Sequence, residues 1–464
     1  MNAISSVSHS LLLQTFGKSS SRRSAATGRR GNGGESLSPF ACLKRATPTE
    51  LDNLEQDYQL DSSSKKMNLA TEVYRNAVGT PQSFQAVKKA EIIIACDDFL
   101  SREPLPPLGN PEFLHAATEL VLGKSSPAQA QGRVVGIQTK NSIDALALAA
   151  QFLRKKTTRD VCLLARPCNP IYWKLFKAAG FNCQRYQYYS DTKGELNIYG
   201  LVADLMTAPD EAVVVLDACA QHPTGLDPSA DEWKLLLHIV KCKKMLPLIH
   251  LEAPGLASGD PNEDAWPVRY FADCGIDLLC AQSFVKNFGL YNETVGQLMV
   301  VPANASQLSA VRGQFESMLL DTNAECSSVH ASRIVAKILN DDKIRSDWGQ
   351  TLKEMHQRVF QVRTDLSKKL AELKTPGHWQ NLVEQSGHHL YSNLSRSQIR
   401  QLRDRHIYVP NSGRMNLTSV QPSSLDSLAA GINDVVQATK GNISSDNYFI
   451  ADNFNTMHQY FNSI

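Results

Sequence analysis

Ser283-Phe284-Val285-Lys286-Asn287-Phe288-Gly289-Leu290-Tyr291-Asn292-Glu293 is the stretch on which the fold of this 464-residue chain turns. The apolar run Leu278–Ala281 in front of it reads as a strand ending at Ser283. Gly289 marks a turn, and Gln297–Val301 reads as a further short strand. A lysine placed this way points into the crevice at a strand end, where open α/β sheets carry their pockets. A buried ammonium without a partner is costly, so such a lysine tends to be functional.

Outward from that stretch, strands and helices alternate between about Gly79 and Met355. Val134–Gln138, Val161–Ala165, Val213–Ala218 and Leu246–Leu251 read as strands. Ile143–Arg154, Trp173–Ala179 and Asp231–Lys241 read as helices with apolar residues at helical spacing. Buried strands separated by helices imply an α/β fold whose largely parallel sheet is covered on both faces. After about Lys353 a long helix is expected to Leu373, stopped by Thr375-Pro376-Gly377. Leu390–Ser392, a short helix near Ser397–Arg405, strands near Tyr408 and Met415–Thr418 and a final helix Ser424–Gln437 then describe a small α+β domain.

The chain is longer than one core usually holds, so a large and a smaller domain are expected. The 42% hydrophobic and 20% charged fractions are ordinary for a globular protein. A net charge of +2 gives no reason to expect nucleic acid as partner, and no apolar run is long enough to span a bilayer. Ten cysteines without a C-x-x-C pair read as buried free thiols in a reducing compartment. Residues 1–46 lack acids before Glu35 and carry Lys18, Arg22, Arg23, Arg29 and Arg30 among serines. That is the composition of a transit peptide to the mitochondrial matrix; the alternative is a disordered basic tail on a cytoplasmic protein. Residues 439–464, rich in Asn and Ser, read as a loose extension.

The stretch around Lys286 closely resembles the coenzyme-lysine signature of aspartate aminotransferases, and overrides the ordinary reading of a loop lysine as merely solvated. Further matching segments follow in the family's order. They are Lys66-Met67-Asn68-Leu69, Asp217-Ala218-Cys219-Ala220 with Pro223-Thr224-Gly225, Ala257-Ser258-Gly259-Asp260 with Asp264-Ala265-Trp266, and Ser412-Gly413-Arg414-Met415-Asn416. The resemblance covers roughly residues 47 to 438. It implies the pyridoxal-5'-phosphate (PLP)-dependent transferase fold type I, with a large domain over 82–355 and a small one from 47–81 and 356–438. It also implies a homodimer, PLP as cofactor, and small amino acids and 2-oxo acids as substrates. Carried over by position, Lys286 is the catalytic, cofactor-holding lysine. Ser283 belongs to the phosphate cup, although a strand-end serine also caps turns. Arg414 grips the substrate carboxylate, as a guanidinium does in bidentate fashion; the alternative is a surface arginine pairing locally.

Other positions depart from the family pattern. The aspartate at the pyridine nitrogen is His250, and the tyrosine donating to the ring oxygen is Ala253. The asparagine sharing that contact is His222, and the ring-stacking tryptophan is Asn169. The phosphate-cradling Ser-Gly-Thr is Asn141-Ser142-Ile143, and the phosphate arginine is Thr294. The tyrosine reaching to the partner's phosphate is Pro104, the partner's substrate arginine is Leu320, and a glycine of the lid strand is Glu72. A charge-assisted contact is worth about 1.5–3 kcal/mol, so cofactor affinity should fall by several decades at about 1.4 kcal/mol each. Glu252, two residues beyond His250, faces the same side of an extended strand and offers a substitute acid; the blander reading is a strand-exit charge. His222 and His250 lack a third ligand at metal spacing, so no metal site is expected. Two functions remain: a working transaminase, with altered specificity as one form, or a catalytically weakened paralogue kept for its fold.

Overall fold

The computed structural model describes residue 40, residues 43–44, and residues 46–321 and 328–439. The expectations for most of the basic N-terminal stretch and for 440–464 lie outside the described residues. Chain contacts separate Met1–Pro48 from Thr49–Ile464, and everything below concerns the second unit.

Its centre is a seven-stranded sheet. The strands are β2 (Val135–Thr139), β3 (Val161–Arg166), β4 (Asn182–Gln187), β5 (Val213–Asp217), β6 (Leu246–Leu251), β7 (Leu278–Ser283) and β8 (Gly296–Val301), with β1 (Met67–Asn68) lying outside it. They lie in the order β2-β8-β7-β6-β5-β3-β4. All neighbours pair in parallel except β8, which runs antiparallel to both β2 and β7. Every residue of β5, β6, β7 and β8 is buried, which is why these segments read as continuous apolar runs rather than alternating ones. Side chains still alternate between faces. Leu163, Val214, Ile249, Cys280 and Met299 join the helices Ala230–Cys242 and Trp266–Asp273 in one core. Cys162, Val213, Leu248, Leu279 and Leu298 join α1 (Ser142–Lys156) and α2 (Pro170–Ala178) in another.

Local chemistry fixes the helix starts. The Asn141 side chain accepts from the Asp144 N–H, and Arg154, Lys155 and Lys156 close α1 where the helix dipole favours cations. Asn169 caps α2 and Pro170 occupies its first turn, so that helix begins before the Trp173 expected from apolar spacing alone. The long C-terminal helix also starts earlier than its apolar pattern suggests. It is α4 (Asp342–Glu372), set off by the Asp341 carboxylate, which accepts from the Lys343 and Ile344 N–H groups; α3 (Val329–Asn340) precedes it.

The two ends of the unit meet. β1 pairs in parallel with β10 (Ile407–Tyr408), while β9 (His389–Tyr391) pairs antiparallel with β11 (Arg414–Asn416). A third core joins Leu69 and Tyr74 to Phe284 and Phe288 of the lysine loop, Trp348 and Leu352 of α4, and Met415 beyond β10. The lysine loop is therefore packed simultaneously against both chain ends.

Candidate active site

Lys286 follows the buried end of β7, and its neighbours hold the loop. Phe284 and Phe288 are buried, and Phe288 stacks on Trp348 with ring centroids 4.7 Å apart. The Trp348 indole donates to the Asn287 carbonyl at 2.7 Å, and the Asn287 amide donates to the Pro254 carbonyl at 3.1 Å. Gly289 has φ +70, and a Cβ there would stand 3.0 Å from the Phe84 ring, so glycine is required. Ser283 is buried and its Oγ accepts from the Val285 N–H at 3.3 Å, so it caps the turn that presents the lysine.

The Lys286 side chain is only 10% exposed, and its ammonium lies between two carboxylates. Glu72 Oε2 is at 2.9 Å and Glu252 Oε1 at 3.2 Å. Glu252 is thus a charge at the exit of β6 that also turns into the cleft and meets Lys286. Burial alone would lower the lysine pKa, but Glu252 and Glu72 outweigh burial and raise it. Burial opposes the ionised form of Glu252 too, yet Lys286 and His250 hold its carboxyl down to about 2. Glu72 is held well below the ordinary range against burial, chiefly by Lys286, with Arg414 acting in the same sense. The two glutamates keep 47% and 38% side-chain exposure, so water partly screens these pairs, which fix charge more than they add stability.

Arg414, on β11, is 11% exposed, which removes the reading of a surface arginine. One guanidinium nitrogen donates to Glu72 Oε1; the other donates to His389 Nδ1 at 2.8 Å. Accepting there makes His389 neutral, with its proton on Nε2, 3.6 Å from Glu72 Oε2. Burial, then Arg414, pushes its pKa well down. His222 and His388 are likewise lowered to about 3, chiefly by burial.

His250 sits at the end of β6, directly opposite Asp217 at the end of β5. Its Nδ1 lies 2.8 Å from Asp217 Oδ1, and its Nε2 lies 2.9 Å from Ser142 Oγ. The Tyr172 hydroxyl from α2 donates to Asp217 Oδ1 at 2.9 Å and lies 2.8 Å from His250 Nδ1. The order Asp217–His250–Ser142 has the connectivity of an acyl-transfer relay. However, Ser142 is 1% exposed, so no substrate reaches that hydroxyl and the network acts as polar filling. Cys168, whose thiol burial and Asp217 push up to about 12, offers no thiolate beside it.

These groups enclose little space. The cavity bounded by His222, His250, Glu252, His388, His389 and Arg414 has a volume of about 30 Å³. That is room for a water or two, whereas small-molecule pockets usually measure about 300–1,000 Å³. Judged by these residues, Lys286 suits a carbonyl cofactor, but the surroundings do not fit a ring and a phosphate. Both His250 nitrogens are engaged, Ser142 is bonded to His250, and Asn169 is used as a helix cap. Pro104 and Leu320 are exposed, Leu320 at 68%. The structure therefore brings together Lys286, Arg414, His222 and His250, while Ser283 serves its own turn. Sequence reading missed Asp217, Tyr172, His388 and His389 as site residues. Asp217 was readable in principle, because it ends the strand next to that of His250.

Residues 64–432 match the family described as aminotransferase class I and II. The chain is 37% identical over 404 residues to the cytoplasmic aspartate aminotransferase of Gallus gallus, covering 86% of this chain and 98% of that one. It is 32% identical over 422 residues to the mitochondrial aspartate aminotransferase of the same species, covering 90% and 98%. Among solved structures, it superposes with a TM-score of 0.82 on the aromatic-amino-acid aminotransferase of Burkholderia pseudomallei covalently bound to pyridoxal phosphate, at 29% identity, covering 86% of this chain and all of that one. An extensive match in sequence and a superposition over the whole of a solved aminotransferase converge on one conclusion: the chain belongs to the aspartate aminotransferase family, with the α/β architecture of PLP-dependent fold type I.

Proposed function

We propose that this chain keeps the aspartate aminotransferase scaffold but binds pyridoxal phosphate weakly and transaminates slowly or not at all. By family it is a PLP-dependent transaminase, whose reaction moves an amino group between aspartate or glutamate and 2-oxo acids. The observation carrying the proposal is the filled cleft: the Lys286 ammonium is paired with two carboxylates, and His250 is tied off by Asp217 and Ser142. Lys286 is assigned as the attachment point and Arg414 as the carboxylate clamp. His250, His222 and Ser283 stand where ring and phosphate contacts are needed. When bound, the cofactor supplies the electron sink; a histidine in place of a carboxylate at the ring nitrogen supports that sink poorly.

One observation favours the alternative of a functional transaminase: Glu252 is an ionised carboxylate inside the cleft, 3.2 Å from Lys286. Assays separate the two readings. Purified protein is mixed with PLP, followed by absorbance at about 330–430 nm and borohydride trapping, then given aspartate and 2-oxoglutarate. Weak uptake and slow turnover support the proposal, and tight uptake with turnover at the family's usual rates rejects it.

The same reading includes a large domain over 82–355, a small one from 47–81 and 356–438, and a homodimer. It is supported by the seven-stranded sheet within the first range and by the β1–β10 pairing within the second. It also includes delivery to the mitochondrial matrix, supported by the basic, serine-rich stretch before Glu35; relatives occur in both cytoplasm and mitochondria. Among the described residues no helix is long and apolar enough to cross a membrane. A reporter fused to residues 1–46 tests the destination.

A further inference from the structure

The cleft contains an anion-binding pair and, already seated on it, a carboxylate of the chain itself. Glu72 reaches Arg414 with one oxygen and Lys286 with the other, at 2.9 Å, while His389 Nε2 stands 3.6 Å away. This is how a guanidinium and an ammonium would receive a free carboxylate. The Glu72 backbone is held from both sides. The Asn416 amide donates to the carbonyls of Thr71 at 2.8 Å and Val73 at 3.0 Å. The Tyr74 N–H donates to the Tyr291 hydroxyl at 2.9 Å, and the Arg75 N–H donates to Thr418 Oγ1 at 2.9 Å. Thus Tyr291 of the lysine loop and Asn416 of β11 both steady the segment that delivers Glu72.

We propose that Glu72 is a built-in occupant of the anion subsite formed by Arg414 and Lys286, and that it determines specificity by excluding small carboxylates from the cleft. The inference rests on assigning Arg414 and Lys286 as the cleft's anion-binding pair. Charge counting supports it. Two cations, Lys286 and Arg414, face two carboxylates, Glu72 and Glu252, so no positive excess remains to draw in an anion. A dicarboxylate can enter only if Glu72 turns out toward solvent, where 47% of its side chain already lies. Removing Glu72 leaves one carboxylate against two cations and restores an attraction for anions.

The test needs no cofactor, so it is independent of PLP uptake. Wild type, Glu72→Gly and Glu72→Gln are titrated calorimetrically with maleate, a plain dicarboxylate probe, at neutral pH in a phosphate-free buffer. Both variants are expected to bind maleate at least about tenfold more tightly than wild type, the worth of one charge-assisted contact. Adding Arg414→Ala to Glu72→Gly should abolish that gain. A second readout is labelling of Lys286 by trinitrobenzenesulfonate, which attacks the free amine. It should be faster in the Glu72 variants, because one carboxylate holding the proton on Lys286 has gone. Circular dichroism confirms that the variants fold, and the Glu72→Gln protein keeps side-chain volume should Glu72→Gly misfold. Maleate affinity unchanged in both variants, whether measurable or undetectable throughout, overturns the proposal.

Discussion

His388 is buried, with little water to stabilise an imidazolium, and burial, then Lys286 and Arg414, lowers its pKa from 6.5 to about 3. The unfolded chain therefore takes up this proton first on acidification. Stability from His388 is complete above about pH 6.5 and is lost as pH falls toward 3, by about 1.4 kcal/mol per pH unit. Asp227, raised to about 6 by burial, acts in the opposite sense: the folded state protonates first, offsetting part of the loss between about pH 6 and 4. Urea unfolding of wild type and His388→Gln at pH 7 and pH 5 isolates the histidine, and the variant should show the shallower loss. At the floor of the cleft, Asp217→Ala strands the Tyr172 hydroxyl and His250 Nδ1 in the interior. A cost of about 2–4 kcal/mol is expected, against about 1 kcal/mol for Tyr172→Phe, both read from denaturant midpoints. Lys286 and Arg414 were legible in the sequence because each sits in an unbroken local motif. The partners that neutralise them were not, since Glu72 is 214 residues from Lys286 and 342 from Arg414. Long-range pairing of this kind is decided by packing, which leaves no local pattern.

α4 brings Arg363, 2% exposed, against the chain just before β9. Its guanidinium donates to the carbonyls of Gln385, Gly387 at 2.7 Å and His389 at 2.9 Å. Burial lowers its pKa to about 10, so it stays charged and clamps the chain where it enters β9. Arg363→Met removes those donors and leaves the carbonyls unpaired, for an expected cost of about 3 kcal/mol or more. Amide exchange should accelerate over residues 385–391, which carry His388 and His389 to the cleft. Unchanged exchange there would mean that β11 alone holds the segment. The elements themselves were readable where the code is local: buried apolar runs gave β5 to β8, and helical spacing gave α1. Boundaries set by a single cap were misplaced, as at Asn169 and Asp341, because one side-chain oxygen leaves a weaker mark than an apolar stripe.

Across the whole molecule, the scaffold and the proposed site rest on different kinds of residue. The sheet, its two cores and the packing of the lysine loop against both chain ends rest on buried apolar residues, and the family match spans residues 64–432. Cofactor contacts depend on single polar side chains, each replaceable without loss of the core. In the proposed reading these side chains are occupied by internal partners: Asp217 and Ser142 for His250, Glu72 and Glu252 for Lys286, Glu72 and His389 for Arg414. A further consequence follows for Lys286→Met. It leaves Glu252 facing Glu72 without the ammonium between them, so both carboxyls should titrate upward. Acid titration followed by infrared carboxylate bands would show the change, and unaltered bands would mean that the pairing is not sustained in solution. The most direct test of a filled cleft is equilibrium titration of the wild-type protein with pyridoxal phosphate, followed by absorbance and by borohydride capture on Lys286. Weak, readily dialysed binding with little capture is the predicted result. Stoichiometric, dialysis-resistant uptake, with Lys286 trapped and aspartate consumed briskly, would contradict it.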